Sequence, residues 1–382
     1  MRDWSKLLKK VVIIGGGIGG LTLALALKQR GIAVTVHEKY DHQQHHQTGF
    51  LIWSYAIDLL QKLEVPVHRV GTPLEVFEVH GRSGQKISEM PVGEVSRSHG
   101  ADSFEMNRRR LIECMSELVA EDLKFGHECV SVETRQESAV AFFADGTSDE
   151  GDVVIGCDGA HSVVRAAIHP DAELKMLDAG GWIAVIDDHP PSLQKNRHMD
   201  FWQPGCKAGV ADIGNGEARW YVAFNHRLPD ASSSKKLQIK QGMVDIPEVI
   251  QQCISMTDEA QMVSTKAGDL LALDPWYQGR LLLIGDAAHA TSPYAGMGAC
   301  TAIADACLLA EMLDQSNDIE NVFIEFQKQR KPVADAVIEE SRHGLDMSTC
   351  RSRFRNWIRD WGLSHIPDHK MKQIVDAMVT GR

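Results

Sequence analysis

Between residues 15 and 20 the chain reads Gly-Gly-Gly-Ile-Gly-Gly, and that turn narrows the possible folds more than any other feature. An apolar run over residues 11–14 precedes it, an apolar helical pattern over residues 21–30 follows, and Gly31 stops that helix. Residues 32–37 then read as a second strand ending in Glu38. In the spacing Gly15-x-Gly17-x-x-Gly20, the first glycine permits the tight turn. The second lets a pyrophosphate approach the backbone, and the third lets helix pack close on strand. Free N–H groups at Ile18 and Gly19, with the positive end of the helix, suit such an anion. Glu38 is placed to accept hydrogen bonds from an adenosine ribose, with Lys39 beside it. A glycine turn with a surface glutamate is the plain alternative, but strand, helix and acid in register favour a dinucleotide site. The unit is βαβ, which commits the chain to a parallel sheet with helices packed on it.

The 382 residues suffice for two domains with separate cores. A net charge of −12 argues against nucleic acid or an anionic membrane as the main partner, because the overall field repels polyanions; a local basic patch stays open. The eight cysteines form no C-x-x-C pair, which points away from zinc ribbons and thioredoxin-like sites and toward a reducing compartment. The apolar run after the basic first ten residues meets glycine after four, too soon for a signal peptide. No stretch approaches the roughly 20 apolar residues of a membrane helix. The expectation is a soluble cytoplasmic protein, without stable membrane insertion, as monomer or homodimer.

Downstream, residues 140–143 with Asp145-Gly146 read as a hairpin, and residues 152–156 as a buried strand leading into Asp158-Gly159. Residues 181–225 change character, with short alternating β segments, glycine turns, and Trp182, Phe201, Trp202, Trp220, Tyr221 and Phe224. They read as the antiparallel sheet of a second domain. Residues 235–256 are mostly helical, and residues 280–284 return as a strand to the first domain. A helix follows from about Ala299 to Leu313, and another from about Ile319 to Arg342 is interrupted near Pro332.

The returning strand carries Gly285-Asp286-Ala-Ala-His289, followed by Pro293 and Gly296-Met297-Gly298. It delivers an aspartate at its C-terminal end, where ligands bind in open α/β sheets. Asp158-Gly159-x-x-Ser162-x-x-Arg165, taken alone, is a helix-capping pattern. In order and spacing these motifs together resemble the single-component (class A) flavoprotein monooxygenases, the group of p-hydroxybenzoate and salicylate hydroxylases and tetracycline-inactivating monooxygenases. The resemblance runs from Val11 to about Arg342.

The resemblance implies an α/β fold. A Rossmann-like FAD-binding domain would span residues 1–75, 101–170 and 276–345. A substrate domain built on an antiparallel or mixed sheet would span residues 76–100 and 171–275, and a C-terminal helical segment residues 346–382. It assigns Gly15, Gly17, Gly20 and Glu38 to the dinucleotide fingerprint, and Asp158, Gly159, Ser162 and Arg165 to a motif linked to FAD and nicotinamide. Gly285, Asp286 and Pro293 match the motif whose aspartate binds the flavin ribityl chain, and Arg108 with Leu111 matches a segment whose arginine contacts FAD. The amides of Gly296, Met297 and Gly298 would face the pyrimidine side of the flavin. Two departures stand out. Lys39 replaces the arginine that many members carry after the glutamate. Cys300 occupies the position of an asparagine in a G-Q-G-x-N turn, and reads as a packed, inert thiol.

The implied activity is hydroxylation of an aromatic or polycyclic small molecule. With a single fingerprint, NADH or NADPH would bind transiently, reduce non-covalent FAD and leave, and dioxygen would then give a flavin hydroperoxide that transfers oxygen. Other flavin oxidoreductases of the same fold (reductase, oxidase or halogenase) and a non-enzymatic redox sensor are the alternatives. No W-x-W-x-I-P segment of the halogenases is present. Tyr221 and His226, on or just after a strand of the substrate sheet, are candidates for deprotonating a phenol, each with a packing role as competitor. His46, with His42 and His45, lies in a loop that by resemblance runs beside the flavin; no acidic or cysteine partner accompanies these histidines, and no metal is expected. Phe354, Trp357, Ile358 and Trp361 form one apolar helical face flanked by Arg351, Arg353, Arg355 and Arg359, expected to dock on its own domain, with a dimer contact or membrane surface as the other readings.

Overall fold

Val11, Val12 and Ile13 are completely buried, as a strand covered on both faces of a parallel sheet must be. They belong to the strand Lys10–Ile14 in a computed structural model that describes residues 8–41, 47–226, 234–270 and 273–381. Its sheet has six strands in the order Tyr277–Gln278, Leu281–Leu283, Val153–Gly156, Lys10–Ile14, Ala33–His37 and Leu123–Lys124. All neighbours run parallel except the first pair, which is antiparallel. Ile14 lies opposite Gly156 on one side and His37 on the other, and Gly156 lies opposite Leu283. Three stretches distant in sequence therefore end side by side. Helices Ile18–Gln29 and Gly298–Gln315 pack on each other so closely that a Cβ on Gly19 would sit 3.4 Å from that of Ala302.

A second sheet of seven strands has the order Val263–Leu270, Leu174–Ile186, Glu217–Phe224, Cys206–Gly214, Arg197–Gln203, Val76–His80 and Lys86–Met90. Its only parallel pair joins Arg197–Gln203 to Val76–His80. Strand periodicity sends alternate residues to opposite faces. Trp182, Phe201, Ala208, Val210, Trp220, Val222 and Phe224 face one way, where Ile239, Val249, Ile250 and Cys253 of helices Lys235–Gly242 and Glu248–Met256 close a core over them. His198, Asp200, Trp202, Lys207, Arg219 and Tyr221 face the other way. There they meet a small antiparallel sheet of strands Gly49–Ile52, Phe104–Asn107 and Gly71–Pro73. These strands are longer than the short segments expected over residues 181–225.

Two C-terminal expectations need correction. The helix expected to break near Pro332 runs unbroken over Ile319–Ser348. Proline removes one backbone donor, but Pro332 is solvent-exposed, so water can serve the carbonyl left over. The apolar face expected to dock points outward: helix Arg353–Ser364 instead buries Asn356 and packs Leu363 against Val79, Ile87 and Trp202. Helix Asp368–Thr380 buries Met371, Val375 and Val379, and the Val379 carbonyl accepts from Ser54 Oγ at 3.0 Å.

Candidate active site

The glycine turn forms the first wall of a cleft. Gly15 has φ +106°, and a Cβ there would lie 2.3 Å from the Cys157 carbonyl oxygen, so only glycine fits. Gly20 lies hard against the Gly15 carbonyl. Gly17 differs, since a Cβ there would meet nothing within 4 Å. It precedes helix Ile18–Gln29, whose first turn has no side-chain cap, so the amides around Ile18 and Gly19 open onto that space. Glu38 is buried, and its carboxylate accepts from the N–H of Gly16 at 2.7 Å and of Tyr40 at 2.9 Å. Gly16 itself escaped the spacing rule, because the pattern leaves that position open; the contact with Glu38 is what fixes it. Lys39 is exposed, with its ammonium 4.8 Å from the Tyr40 ring centre.

Asp286 and Arg108 form the facing wall. Gly285, at φ +58°, turns the chain out of strand Leu281–Leu283 and starts the short helix Asp286–His289. Solvent reaches the Asp286 side chain, yet protein surrounds it deeply enough that burial raises its carboxyl pKa, opposed by the charges of His289, Arg108 and Arg165. Arg108 makes no side-chain hydrogen bond or ion pair among the described residues, and burial lowers its pKa against the pull of Asp286 and Glu38. A guanidinium that feels both carboxylates and bonds neither keeps its donors open to a ligand. Arg165 is buried and donates to the Ala287 carbonyl at 3.0 Å. Asp158 caps helix Val163–Ile168 through Oδ2, 2.7 Å from the Val163 N–H, while its buried Oδ1 has no partner among the described residues. Ser162 caps the same helix, accepting from the Arg165 N–H at 2.8 Å. Pro293 begins a short turn, Gly296 has φ +64°, and Met297 precedes helix Gly298–Gln315, whose first turn is likewise uncapped by any side chain.

A clamp absent from the sequence reading holds this wall. Asp305, fully buried, accepts from His289 Nε2 at 2.6 Å, from the Gly285 N–H at 3.2 Å and from Arg330 Nε at 2.6 Å. Burial would raise its pKa, but His289 and Arg330 keep it below the ordinary value. Glu38, Asp286, Arg108 and two helix N-termini without side-chain caps together supply the donors and acceptors that suit an extended dinucleotide. Cys300 is fully buried; burial pushes its thiol up to about 12, and its sulfur accepts from the Trp53 N–H at 3.4 Å.

Above the cleft the site face of the seven-stranded sheet carries a continuous polar network. Arg219 forks onto Glu105, with Nε 2.7 Å from Oε2 and Nη2 2.9 Å from Oε1. His198 Nδ1 lies 2.7 Å from the same Oε1, and its Nε2 lies 3.1 Å from Asp200 Oδ1. Asp200 also accepts from the Tyr221 hydroxyl, from Trp202 Nε1 at 3.1 Å and from Lys207 Nζ at 3.5 Å. Burial works against its charge, yet Lys207, His198 and Tyr221 hold the carboxyl well below the usual range. Burial and the neighbouring Asp200 push the Tyr221 phenol well above its ordinary value. Tyr221 is thus a donor to Asp200 and not a resident base. The Lys207 ammonium sits 5.3 Å from the Tyr221 ring centre and 5.4 Å from that of Tyr294, in the turn that leads to Gly296. His226 packs on Phe224 at 5.2 Å, on the face away from this network. His46, with His42 and His45, lies outside the described residues.

A model of the FAD binding domain family matches residues 9–341. Aurachin C monooxygenase/isomerase of Stigmatella aurantiaca is 28% identical over 360 residues, 92% of each chain. The FAD-dependent urate hydroxylase of Mycolicibacterium vanbaalenii is 26% identical, with 89% of this chain and 88% of the relative covered. Klebsiella pneumoniae HpxO, solved with FAD and uric acid, superposes with a TM-score of 0.90 at 20% identity, over 98% of this chain and 97% of that one.

Proposed function

Because this chain belongs to the FAD binding domain family, we propose that it is an FAD-dependent monooxygenase that uses NAD(P)H and dioxygen to hydroxylate a small aromatic or polycyclic substrate. The observation that carries the reading is Arg108, which feels the charges of both Asp286 and Glu38 and bonds neither among the described residues, together with the glycine turn that Glu38 holds and that opens on free space at Gly17. When bound, FAD supplies the redox chemistry, accepting a hydride from NAD(P)H and activating dioxygen so that one oxygen atom reaches the substrate and the other leaves as water. The chain's own residues bind and orient. The turn amides would hold the diphosphate, Glu38 the adenosine ribose, and Asp286 and Arg108 the ribityl side, all without a covalent link.

On the substrate side, the Tyr221 hydroxyl donates to Asp200, lies 3.4 Å from His198 Nε2, and has a further lone pair with which to accept from a substrate hydroxyl. Lys207 places positive charge over the two tyrosine rings, where a substrate hydroxyl that loses its proton is stabilised. The Glu105–Arg219–His198 cluster positions Asp200 and through it Tyr221. Eight unpaired cysteines suit a cytoplasmic setting.

Asp286→Ala is expected to weaken FAD binding tenfold to a hundredfold, about 1.5–3 kcal/mol for a charged hydrogen-bond acceptor lost from a buried ligand. Titration of the apoprotein with FAD, read by flavin fluorescence, measures it; an unchanged affinity would remove Asp286 from the site. The activity itself is tested by screening phenols, hydroxyquinolones, oxopurines and tetracyclines for stimulated NAD(P)H oxidation, with product mass in parallel. A true substrate should accelerate nicotinamide consumption many-fold and gain one oxygen atom. Bleaching of the flavin by substrate alone, without nicotinamide, would make the protein an oxidase.

A further inference from the structure

Helix Arg353–Ser364 has a finished inner side and an unfinished outer one. Inward, Asn356 Nδ2 donates to the Cys350 carbonyl at 2.9 Å, Arg359 Nη1 donates to the Met347 carbonyl at 2.8 Å, and the Arg359 guanidinium lies 5.1 Å from the Trp202 ring. Outward, Phe354, Trp357, Ile358 and Trp361 are exposed by 68, 64, 47 and 58%. The Phe354 and Trp357 rings stack on each other, centres 6.2 Å apart, and both are mostly exposed. At 3.6 residues per turn, Arg353 and Arg355 fall on opposite flanks of that face. Both are exposed, and neither side chain makes a hydrogen bond or ion pair among the described residues.

Charge selects the occupant. Residues 351–372 hold six lysines and arginines against two aspartates, in a chain whose net charge is −12. Positive charge is thus concentrated around a helix that shows two tryptophans, a phenylalanine and an isoleucine to water. Two copies meeting through this face would bring Arg353 and Arg355 of each against those of the other, which like-charge repulsion opposes. Anionic headgroups reverse the sign of that contact. Tryptophan favours the boundary between headgroups and acyl chains, and arginine can snorkel from an apolar face to phosphate. Twelve residues rise about 18 Å, well short of the roughly 30 Å hydrocarbon core, so the helix would lie in the plane of the surface. No helix among the described residues is long and apolar enough to cross a membrane.

We propose that helix Arg353–Ser364 is an in-plane anchor that seats this protein reversibly on an anionic phospholipid surface. The helix packs on the end of the substrate sheet, over Trp202, whose indole donates to Asp200. A docked molecule therefore holds its substrate side at the bilayer. This inference stands apart from the reaction proposed above, and its test does not require turnover.

The flavin-loaded protein is sedimented with vesicles of phosphatidylcholine alone and of phosphatidylcholine with about one third phosphatidylglycerol, while tryptophan emission is followed. Binding is expected only to the anionic vesicles, with a blue shift and with release by salt. Trp357→Ser with Trp361→Ser should abolish binding. Arg353→Gln with Arg355→Gln should lower the partition constant about fivefold for each arginine removed. Both variants alter exposed positions and should keep their bound flavin and melting temperature, which separates lost docking from lost folding. Equal binding to neutral vesicles, or no binding to anionic ones, overturns the proposal. So does a dimer in sedimentation equilibrium that the double tryptophan variant turns into a monomer, since the face would then belong to a second copy.

Discussion

Arg219→Met is expected to destabilise the folded protein by about 3–5 kcal/mol, the range for removing one partner of a buried ion pair. The guanidinium and the Glu105 carboxylate are both buried, and Glu105 is completely so. Methionine fills much of the space but leaves a carboxylate whose remaining partner is His198. Burial alone would raise the Glu105 pKa; Arg219 first, then His198, bring it down to about 2. A depressed carboxyl contributes stability that is present above its unfolded value near 4.5 and is lost as pH falls through about 2. In the variant that acid limb should move upward, so that unfolding begins at higher pH. Urea midpoints at neutral pH and melts taken downward from there measure both effects. Adding Glu105→Leu should recover part of the loss, since two apolar residues can replace a buried pair. A single variant as stable as the parent would mean that this pair does not join the two sheets.

Gly15→Ala should yield a protein that holds no flavin, and two independent penalties drive it. Alanine at φ +106° is strained by about 1–3 kcal/mol. Its methyl would also lie 2.3 Å from the Cys157 carbonyl oxygen and 2.9 Å from the Asp158 Cα. Those are backbone atoms at the end of a neighbouring strand, and no side chain can swing away to relieve the contact. Gly17→Ala makes the informative contrast. Gly17 has φ −78° and open space before it, so the variant should fold and melt normally while losing FAD affinity, its methyl standing where a phosphate approaches. A Gly17→Ala protein purified with full flavin would show that the diphosphate lies elsewhere.

The glycine-turn wall of the cleft was readable in the sequence because its parts are local. Strand, turn, helix and Glu38 fall within one window of residues 10–38, where periodicity and glycine spacing act together. Asp286 was readable because an apolar strand points to it. The Glu105–Arg219–His198–Asp200 network was not, since its members come from three strands and most of their contacts span long stretches of chain. One trace was available: His198 and Asp200 alternate with Met199 and Phe201, a strand with a polar face too deep to be solvent-facing. Tyr221 was singled out for its chemistry and for lying on a strand that the resemblance assigns to the substrate sheet; its register beside Arg219 places it in the network, and the same register sends His226 past the strand end to Phe224. The outward turn of Trp357 and Trp361 was equally beyond reach. An amphipathic pattern marks which residues share a face, but not which face the fold covers.

The strand order sets the timetable by which the molecule can be made. Leu281–Leu283 must slot beside Val153–Gly156, which lies beside Lys10–Ile14, with five of the seven strands of the second sheet synthesised between residues 156 and 281. Glu38 leaves the ribosome roughly 250 residues before Asp286, which at about 5–20 residues per second is a wait of about 12–50 s. Throughout that time the nascent chain carries half a nucleotide cradle, and once residues 153–156 are made it also carries a bare apolar strand edge there. Fragments cut short before residue 281 can present the glycine turn but never close the cleft around a flavin. Yellow colour in a preparation of this protein therefore reports that translation reached its last third and that the late strand found its place beside residues 153–156.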